Sequence, residues 1–258
     1  MSWLHEAAET VGEALFPTNI YCVCCGSIID KTRIYGICDN YIEKFQFATE
    51  HLCEKCGKIL SDYTGRRTTC FDCRYRKHSF RKGYTCAGYG LYERAMIMDL
   101  KYQGKAYFGK KMGKLMAQRM LQEEELPWDV VIPVPVHPKR LSQRGYNQSR
   151  LLAKPVAEAL NVPLMSEVLL RSQETKAMKD LGAVARIENM KQAFSLAKDA
   201  EEILTGKEIL LVDDIYTTGA TVDACSAILL NGGAAAVDVL TFAAGGDKNP
   251  SQGEGDDK

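Results

Sequence analysis

Short apolar runs alternate with amphipathic stretches over most of this chain. Ile209, Leu210, Leu211 and Val212 form one such run, which predicts a strand buried on both faces. Asp213 and Asp214 follow at once, then a small loop, Thr217, Thr218 and Gly219. Apolar positions at Ala220, Val222, Ala224, Ile228 and Leu229 predict a helix starting near 220. Upstream, residues 129–134 are a second β-branched run and predict another central strand. A loop over 135–140 follows, and then a helix opening near Arg144 with Leu151, Leu152, Val156 and Leu160 on its apolar side. Residues 84–92 read as extended and 94–101 as a helix with Ala95 and Met98 on one side. Gly104 breaks it before a second helix over 107–123, with Phe108, Met112, Leu115 and Met116 apolar. Strands and helices in this alternation fit an α/β domain. At the front, Leu4, Ala8, Val11 and Leu15 mark one face of a short amphipathic helix over 1–19.

Length and charge narrow the function classes. A chain of 258 residues holds one α/β domain of ordinary size plus a smaller appendage. With 46% hydrophobic and 26% charged residues the composition is globular. Net charge is zero, so there is no global pull towards nucleic acid. Locally, Arg66, Arg67, Arg74, Arg76, Lys77, Arg81 and Lys82 stand against Asp72 alone, with Tyr75, Phe80 and Tyr84 interleaved. That mixture suits single-stranded nucleic acid, although a solvated charged linker has the same composition. Residues 245–258 lack large apolar side chains and are expected to be a disordered tail. No run approaches the roughly 20 apolar residues of a transmembrane segment. The first residues carry Glu6, Glu9 and Glu13 and no basic n-region, unlike a secretion signal. The expectation is a cytoplasmic protein whose ten cysteines are metal ligands or free thiols.

Nine of those cysteines fall between Cys22 and Cys86. Cys53 and Cys56 form one C-x-x-C pair, and Cys70 and Cys73 another. Two such pairs across a short loop present four thiolates tetrahedrally to zinc, and Gly57 suits the tight turn of the knuckle. The first half has the same layout but is incomplete. Cys22 and Cys25 pair, and Cys38 follows, but Tyr41 stands where a fourth cysteine would complete the spacing. Cys24, His51 or water is left to complete that site, or the half binds metal weakly. With all four positions filled, the second set reads as structural rather than catalytic. Cys86 and Cys225 have no matching partners and read as buried small hydrophobes.

The segment from Glu208 to Thr221 carries the chemistry. A strand, a hydroxyl-and-glycine loop and a helix N-terminus form an anion pocket, because free N–H groups and the helix dipole point at the loop. Thr217, Thr218 and Thr221 add hydroxyl donors. Asp213 and Asp214 would repel a phosphate, whereas ribose hydroxyls donate to carboxylates. The bland alternative is an ordinary βα unit in which the Asp pair caps the helix. A nucleotide-hydrolase magnesium strand would require an upstream G-x-x-x-x-G-K-[ST] loop, and the sequence has none.

D-D-I-Y-T-T-G-A-T closely resembles the phosphoribosyl pyrophosphate (PRPP) signature of type I phosphoribosyltransferases. P-V-P-V-H-P-K-R over 133–140, R-G-Y-N-Q over 144–148, K-Y-Q-G over 101–104 and the 171–194 stretch together resemble the ComF family, which includes the competence protein ComFC and the GntX group. The match runs from about Cys22 to Phe242. Tyr41 departs from that pattern, as does Met178, where the family often has glutamine.

The resemblance implies a type I phosphoribosyltransferase-like domain over 84–244, an α/β fold with a mostly parallel sheet flanked by helices, behind a zinc-ribbon region over 20–83. It implies that Asp213 and Asp214 hold the ribose 2- and 3-hydroxyls, and that Thr217, Thr218, Gly219, Ala220 and Thr221 wrap the 5-phosphate. Val136 and His137 would offer backbone amides to pyrophosphate, Lys139 or Arg140 would add charge, and Arg144 and Arg186 would stabilise the leaving group. Two readings of different class follow. One is Mg²⁺-dependent transfer of phosphoribosyl from PRPP to an unnamed acceptor. The other is a non-catalytic module in competence and DNA uptake, handling single-stranded DNA beside a ComFA-type helicase.

Overall fold

The structure is a computed structural model and describes residues 21–22, 24–30, 33, 36–61, 66–171 and 193–247. The expected 1–19 helix, Met178, Arg186 and residues 248–258 lie outside these. Contacts divide the chain into Met1–Phe45 and Gln46–Lys258. That division falls inside the cysteine-rich region, so the second cysteine set belongs to the unit that carries the sheet.

In the first unit the described residues make one knuckle and a short helix, α1 (Asp39–Ile42), which follows Cys38. In the second, α2 (Phe71–Tyr75) follows Cys70 in the same way. Then come β1 (Gly83–Gly88), α3 (Leu91–Tyr102), α4 (Tyr107–Met120), β2 (Val130–Pro133), α5 (Pro138–Arg144) and α6 (Gln148–Leu160). The short strands β3 (Leu169–Arg171) and β4 (Phe194–Leu196) and helix α7 (Ala200–Leu204) lead to β5 (Glu208–Tyr216), α8 (Ala220–Asn231) and β6 (Ala236–Ala244).

Four strands form a parallel sheet in the order β1-β6-β5-β2, and β3 pairs with β4 in a separate antiparallel ribbon. Because the sheet is parallel, the carboxyl ends of all four strands share one edge, where α/β folds place ligands. β5 is central, and Ile209, Leu210, Leu211 and Val212 are fully buried. The apolar run expected as the strand is only its first half. Asp213 pairs with Thr241 and Ile215 with Ala243 of β6, so the Asp pair lies inside the strand.

The flanking helices follow their apolar spacing. In α4, Phe108, Met112, Met116 and Met120 recur every fourth residue and all are buried. Gly109 and Gly113 lie on the side of α4 that meets α6. A methyl group on Gly109 would come within 2.6 Å of Leu151 Cβ, and one on Gly113 within 2.5 Å of the Leu152 carbonyl oxygen. Only glycine allows that approach. α3 begins three residues before the expected position, because Gly90 is extended and caps the helix. The loop expected over 135–140 also ends early. His137 is extended and accepts from the Lys139 N–H, and Pro138 pre-sets the first turn of α5.

Candidate functional site

Adjacent residues on a strand point to opposite faces, and the Asp pair uses both. Asp213 faces α6 and accepts from Ser149 Oγ at 2.9 Å. Asp214 faces α3, where Lys101 Nζ lies 2.8 Å from its Oδ1. Both carboxylates are buried, at 8% and 2% exposure. Asp214 Oδ2 is buried with no hydrogen-bond partner. Burial, reinforced by the neighbouring Asp214 charge, pushes the Asp213 carboxyl up to about 7, while Lys101, the Asp214 N–H and Ser149 pull the other way. A buried carboxylate with an unused acceptor is costly. A ligand hydroxyl donated to Asp214 Oδ2 would remove that cost. The fit is to a polyol rather than to a phosphate.

Beyond Tyr216 the chain turns sharply. Thr217 and Thr218 are exposed, Gly219 adopts a left-handed φ of 79°, and α8 starts at Ala220. The free N–H groups and dipole of this twelve-residue helix face the mouth of the loop. Gly219 cannot be replaced cheaply, since a methyl group there would come within 2.5 Å of the Tyr216 hydroxyl.

The R-G-Y-N-Q stretch is a bracket between helices. Arg144 stacks over the Tyr102 ring at 5.1 Å and donates to Gln148 Oε1 at 2.8 Å. Gly145 ends α5 at φ 80°. The Tyr146 hydroxyl donates to the Leu100 carbonyl at 2.6 Å. Asn147 caps α6 through Ser149 N–H and ties back to the Val134 carbonyl. Beside this bracket lies a cavity of about 390 Å³ lined by Lys101, Tyr102, Arg140, Arg144 and Tyr146 among others. It is cationic and adjoins the Asp pair through Lys101. Val136 and His137 are half-buried at the end of β2, whereas Lys139 is exposed.

Three contributors were not singled out by the sequence. Lys101 stood in the K-Y-Q-G stretch without a role, and Ser149 directly follows R-G-Y-N-Q. Arg171 ends β3 over the Phe194 ring at 5.1 Å. Its pKa is lowered by burial first and then by the Arg140 charge, while Asp213 opposes both.

The second cysteine set closes as expected. The sulfurs of Cys53, Cys56, Cys70 and Cys73 lie within 4.8 Å of one another, and the Cys70 N–H donates to Cys53 Sγ at 3.3 Å. Gly57 takes φ 74° in the knuckle. Four mutually close thiols with an amide donor on one sulfur suit structural zinc. The first set has the same backbone plan. Cys53 and Cys22 each receive an N–H from the glycine four residues on, and each donates to the carbonyl five residues on. Cys22, Cys25 and Cys38 gather, but among the described residues no fourth His, Cys, Asp or Glu joins them. Cys86 and Cys225 are buried as expected, and burial pushes Cys86 up to about 12.

Two expectations change. The basic cluster is smaller than its composition indicates. Arg81 pairs with Asp238 and Glu208 at 2.7 Å, Lys82 with Glu123 at 3.2 Å, and Arg67 with Asp247 at 3.1 Å. Phe80 and Tyr84 are buried, which leaves Arg66, Arg74, Tyr75, Arg76 and Lys77 exposed. The stretch assigned to the tail also begins with a packed residue. Asp247 is buried, and its Oδ1 accepts the Phe71 N–H at 2.9 Å, capping α2.

Family comparisons agree with this layout. Residues 146–258 match the phosphoribosyl transferase domain and residues 11–90 the double zinc ribbon domain. The DNA utilization protein YhgH of Escherichia coli K12 is 30% identical over 210 residues, 80% of this chain and 88% of that protein. The chain belongs to the ComF family. Competence protein F of Haemophilus influenzae is 28% identical over 82% of this chain and 91% of its own length. ComFC of Bacillus subtilis is 24% identical over 78% and 80%. For a ComF-family chain, the double zinc ribbon match spans both cysteine sets, so Tyr41 is a local departure within a recognised module.

Proposed function

We propose that this protein binds PRPP at the carboxyl edge of its sheet. The unpartnered Oδ2 of Asp214, buried beside Asp213 on the strand that runs into the 217–219 loop and the helix after it, carries the reading. Asp213 and Asp214 would accept the ribose hydroxyls. Thr217, Thr218, Gly219, Ala220 and Thr221 would hold the 5-phosphate. The amides of Val136 and His137, with Lys139, Arg140 and Arg144, would face the pyrophosphate, and Arg186 of the 172–192 segment is proposed to join them. Mg²⁺ bound with PRPP would neutralise the pyrophosphate charge. Lys101 fixes the orientation of Asp214 and lends positive charge to the same cavity. Any transfer to an acceptor would draw on positioning and electrostatics rather than on a covalent intermediate.

Ribose 5-phosphate and 2-deoxyribose 5-phosphate separate the hydroxyl contacts from the phosphate contacts. The reading expects the deoxy sugar to displace PRPP about tenfold or more less effectively, the size of one lost charged hydrogen bond. Equal displacement by both sugars would remove the Asp pair from recognition of the 2-hydroxyl.

Arg74, Tyr75, Arg76 and Lys77 form an exposed basic run with one exposed aromatic, directly after Cys73. The relatives are named for competence and DNA utilization. We infer that this face handles single-stranded DNA in the cytoplasm, beside a helicase of the ComFA type. Replacing Arg74, Arg76 and Lys77 together by alanine should lower affinity for a single strand and flatten the slope of log K against log salt by roughly 2, at about 0.7 for each lost phosphate contact. An unchanged slope would exclude this surface.

A further inference from the structure

Tyr216 sits between the Asp pair and the phosphate-side loop, yet its ring belongs to the neighbourhood of the second cysteine set. It is 2% exposed and shares one core cluster with Cys53, Cys56, Cys70 and Phe80. Phe80 meets it edge-on at 6.2 Å, and Lys58 Nζ lies 5.5 Å over its face. Lys58 is itself part of the knuckle. Its carbonyl accepts the Cys53 N–H at 2.8 Å, and its ammonium is 2.6 Å from Asp72, the residue before Cys73. A buried lysine committed to a carboxylate between two zinc-ligand candidates has little freedom to move alone.

His78 makes the second link. Its side chain is fully buried, stacks on Phe80 at 4.9 Å, and places Nδ1 2.6 Å from Asp223 in the first turn of α8. Its Nε2 is 3.5 Å from the Tyr216 hydroxyl. The Ser79 N–H donates to the same Asp223 at 2.9 Å. The loop over 217–219 is therefore held at both ends from one side. Tyr216 fixes its start, Asp223 fixes the helix turn at its end, and Gly219 packs directly on the phenol. Sequence spacing gives no hint of this, since Lys58 and His78 lie more than a hundred positions from the loop.

We propose that zinc bound by Cys53, Cys56, Cys70 and Cys73 holds the 217–221 loop in its binding conformation, with Lys58, His78 and Tyr216 as positioning residues. Zinc and the loop's anionic ligand then bind cooperatively, and by linkage each tightens the other by the same factor. The identity of that ligand as PRPP rests on the proposed function above. The mechanical connection does not.

Amide hydrogen exchange on the full chain tests the connection without a ligand. Peptides covering 215–223 should exchange about tenfold faster after zinc is stripped, whereas the Tyr107–Met120 helix should be unchanged. His78→Ala, with zinc retained, should speed 215–223 in the same way. His78→Asn, whose amide can donate to Asp223 from the Nδ1 position, should restore slow exchange. In parallel, Mg²⁺-PRPP should slow zinc release from wild type to a chromogenic chelator by ~10-fold, and this ratio should approach one in His78→Ala. Exchange over 215–223 that ignores His78→Ala would overturn the proposal. Exchange that responds in a wild type unable to bind PRPP would support the brace and reject the PRPP reading.

Discussion

Lys101 Nζ lies 2.8 Å from Asp214 Oδ1, and the other oxygen of that buried carboxylate has no partner. One half of Asp214 is thus neutralised by the protein and the other half is left for a ligand. This is not the arrangement of a helix cap, which would have spent the carboxylate on backbone N–H groups.

Removing the cation alone should be expensive. Lys101→Met leaves Asp214 charged, buried and unpaired, and should cost ~3 kcal/mol of stability in urea unfolding. The double variant Lys101→Met/Asp214→Asn should recover most of that loss, because the uncompensated charge is gone. Strictly additive losses would show that the pair does not interact as described.

Asp213 gives the protein a pH signature. Its pKa in the folded chain, about 7, lies above the ordinary carboxylate value. Between about pH 4 and 7 the folded state therefore holds more protons than the unfolded chain at this site, so stability falls as pH rises through that window. The contribution is at most about 1.4 kcal/mol per pH unit. Asp213→Asn should flatten the fall, measured by unfolding at a series of pH values. An identical pH profile in the variant would place the Asp213 pKa near its ordinary value.

The two cysteine sets share one backbone plan, with Cys38 and Cys70 each capping a short helix in extended conformation. Tyr41 follows Cys38 at the spacing by which Cys73 follows Cys70. Tyr41→Cys should complete four thiolates in the first set. In chelator competition wild type should give up one zinc readily and retain the other, and the variant should retain both. Equal release of both metals from wild type would contradict the distinction between the sets.

β1, β2 and β5 were legible because their determinants are local, whereas β6, between β1 and β5, was not singled out. The four fully buried residues of β5 announce a two-sided core strand, and the fourfold repeat of large side chains in α4 announces a buried helix face. The Asp pair, the loop and the helix start were legible for the same reason, as one continuous segment. What stayed hidden depends on contacts distant in sequence. Nothing in the K-Y-Q-G stretch says that Lys101 reaches Asp214, and a polar tail composition hides Asp247 beneath α2. The basic stretch misled in the other direction. Counting charges cannot see that Arg81, Lys82 and Arg67 are already paired with acids far along the chain, or that Phe80 and Tyr84 point inward.

We propose that the edge holding Asp213, Asp214 and the 217–221 loop takes PRPP. Titration calorimetry of the zinc-loaded protein with PRPP, with and without Mg²⁺, addresses it directly, with Asp213→Asn/Asp214→Asn as the control. Saturable one-to-one binding, tighter with Mg²⁺ and lost in the folded double variant, is the predicted result. No heat of binding from folded wild type, or equal binding by the double variant, would contradict it.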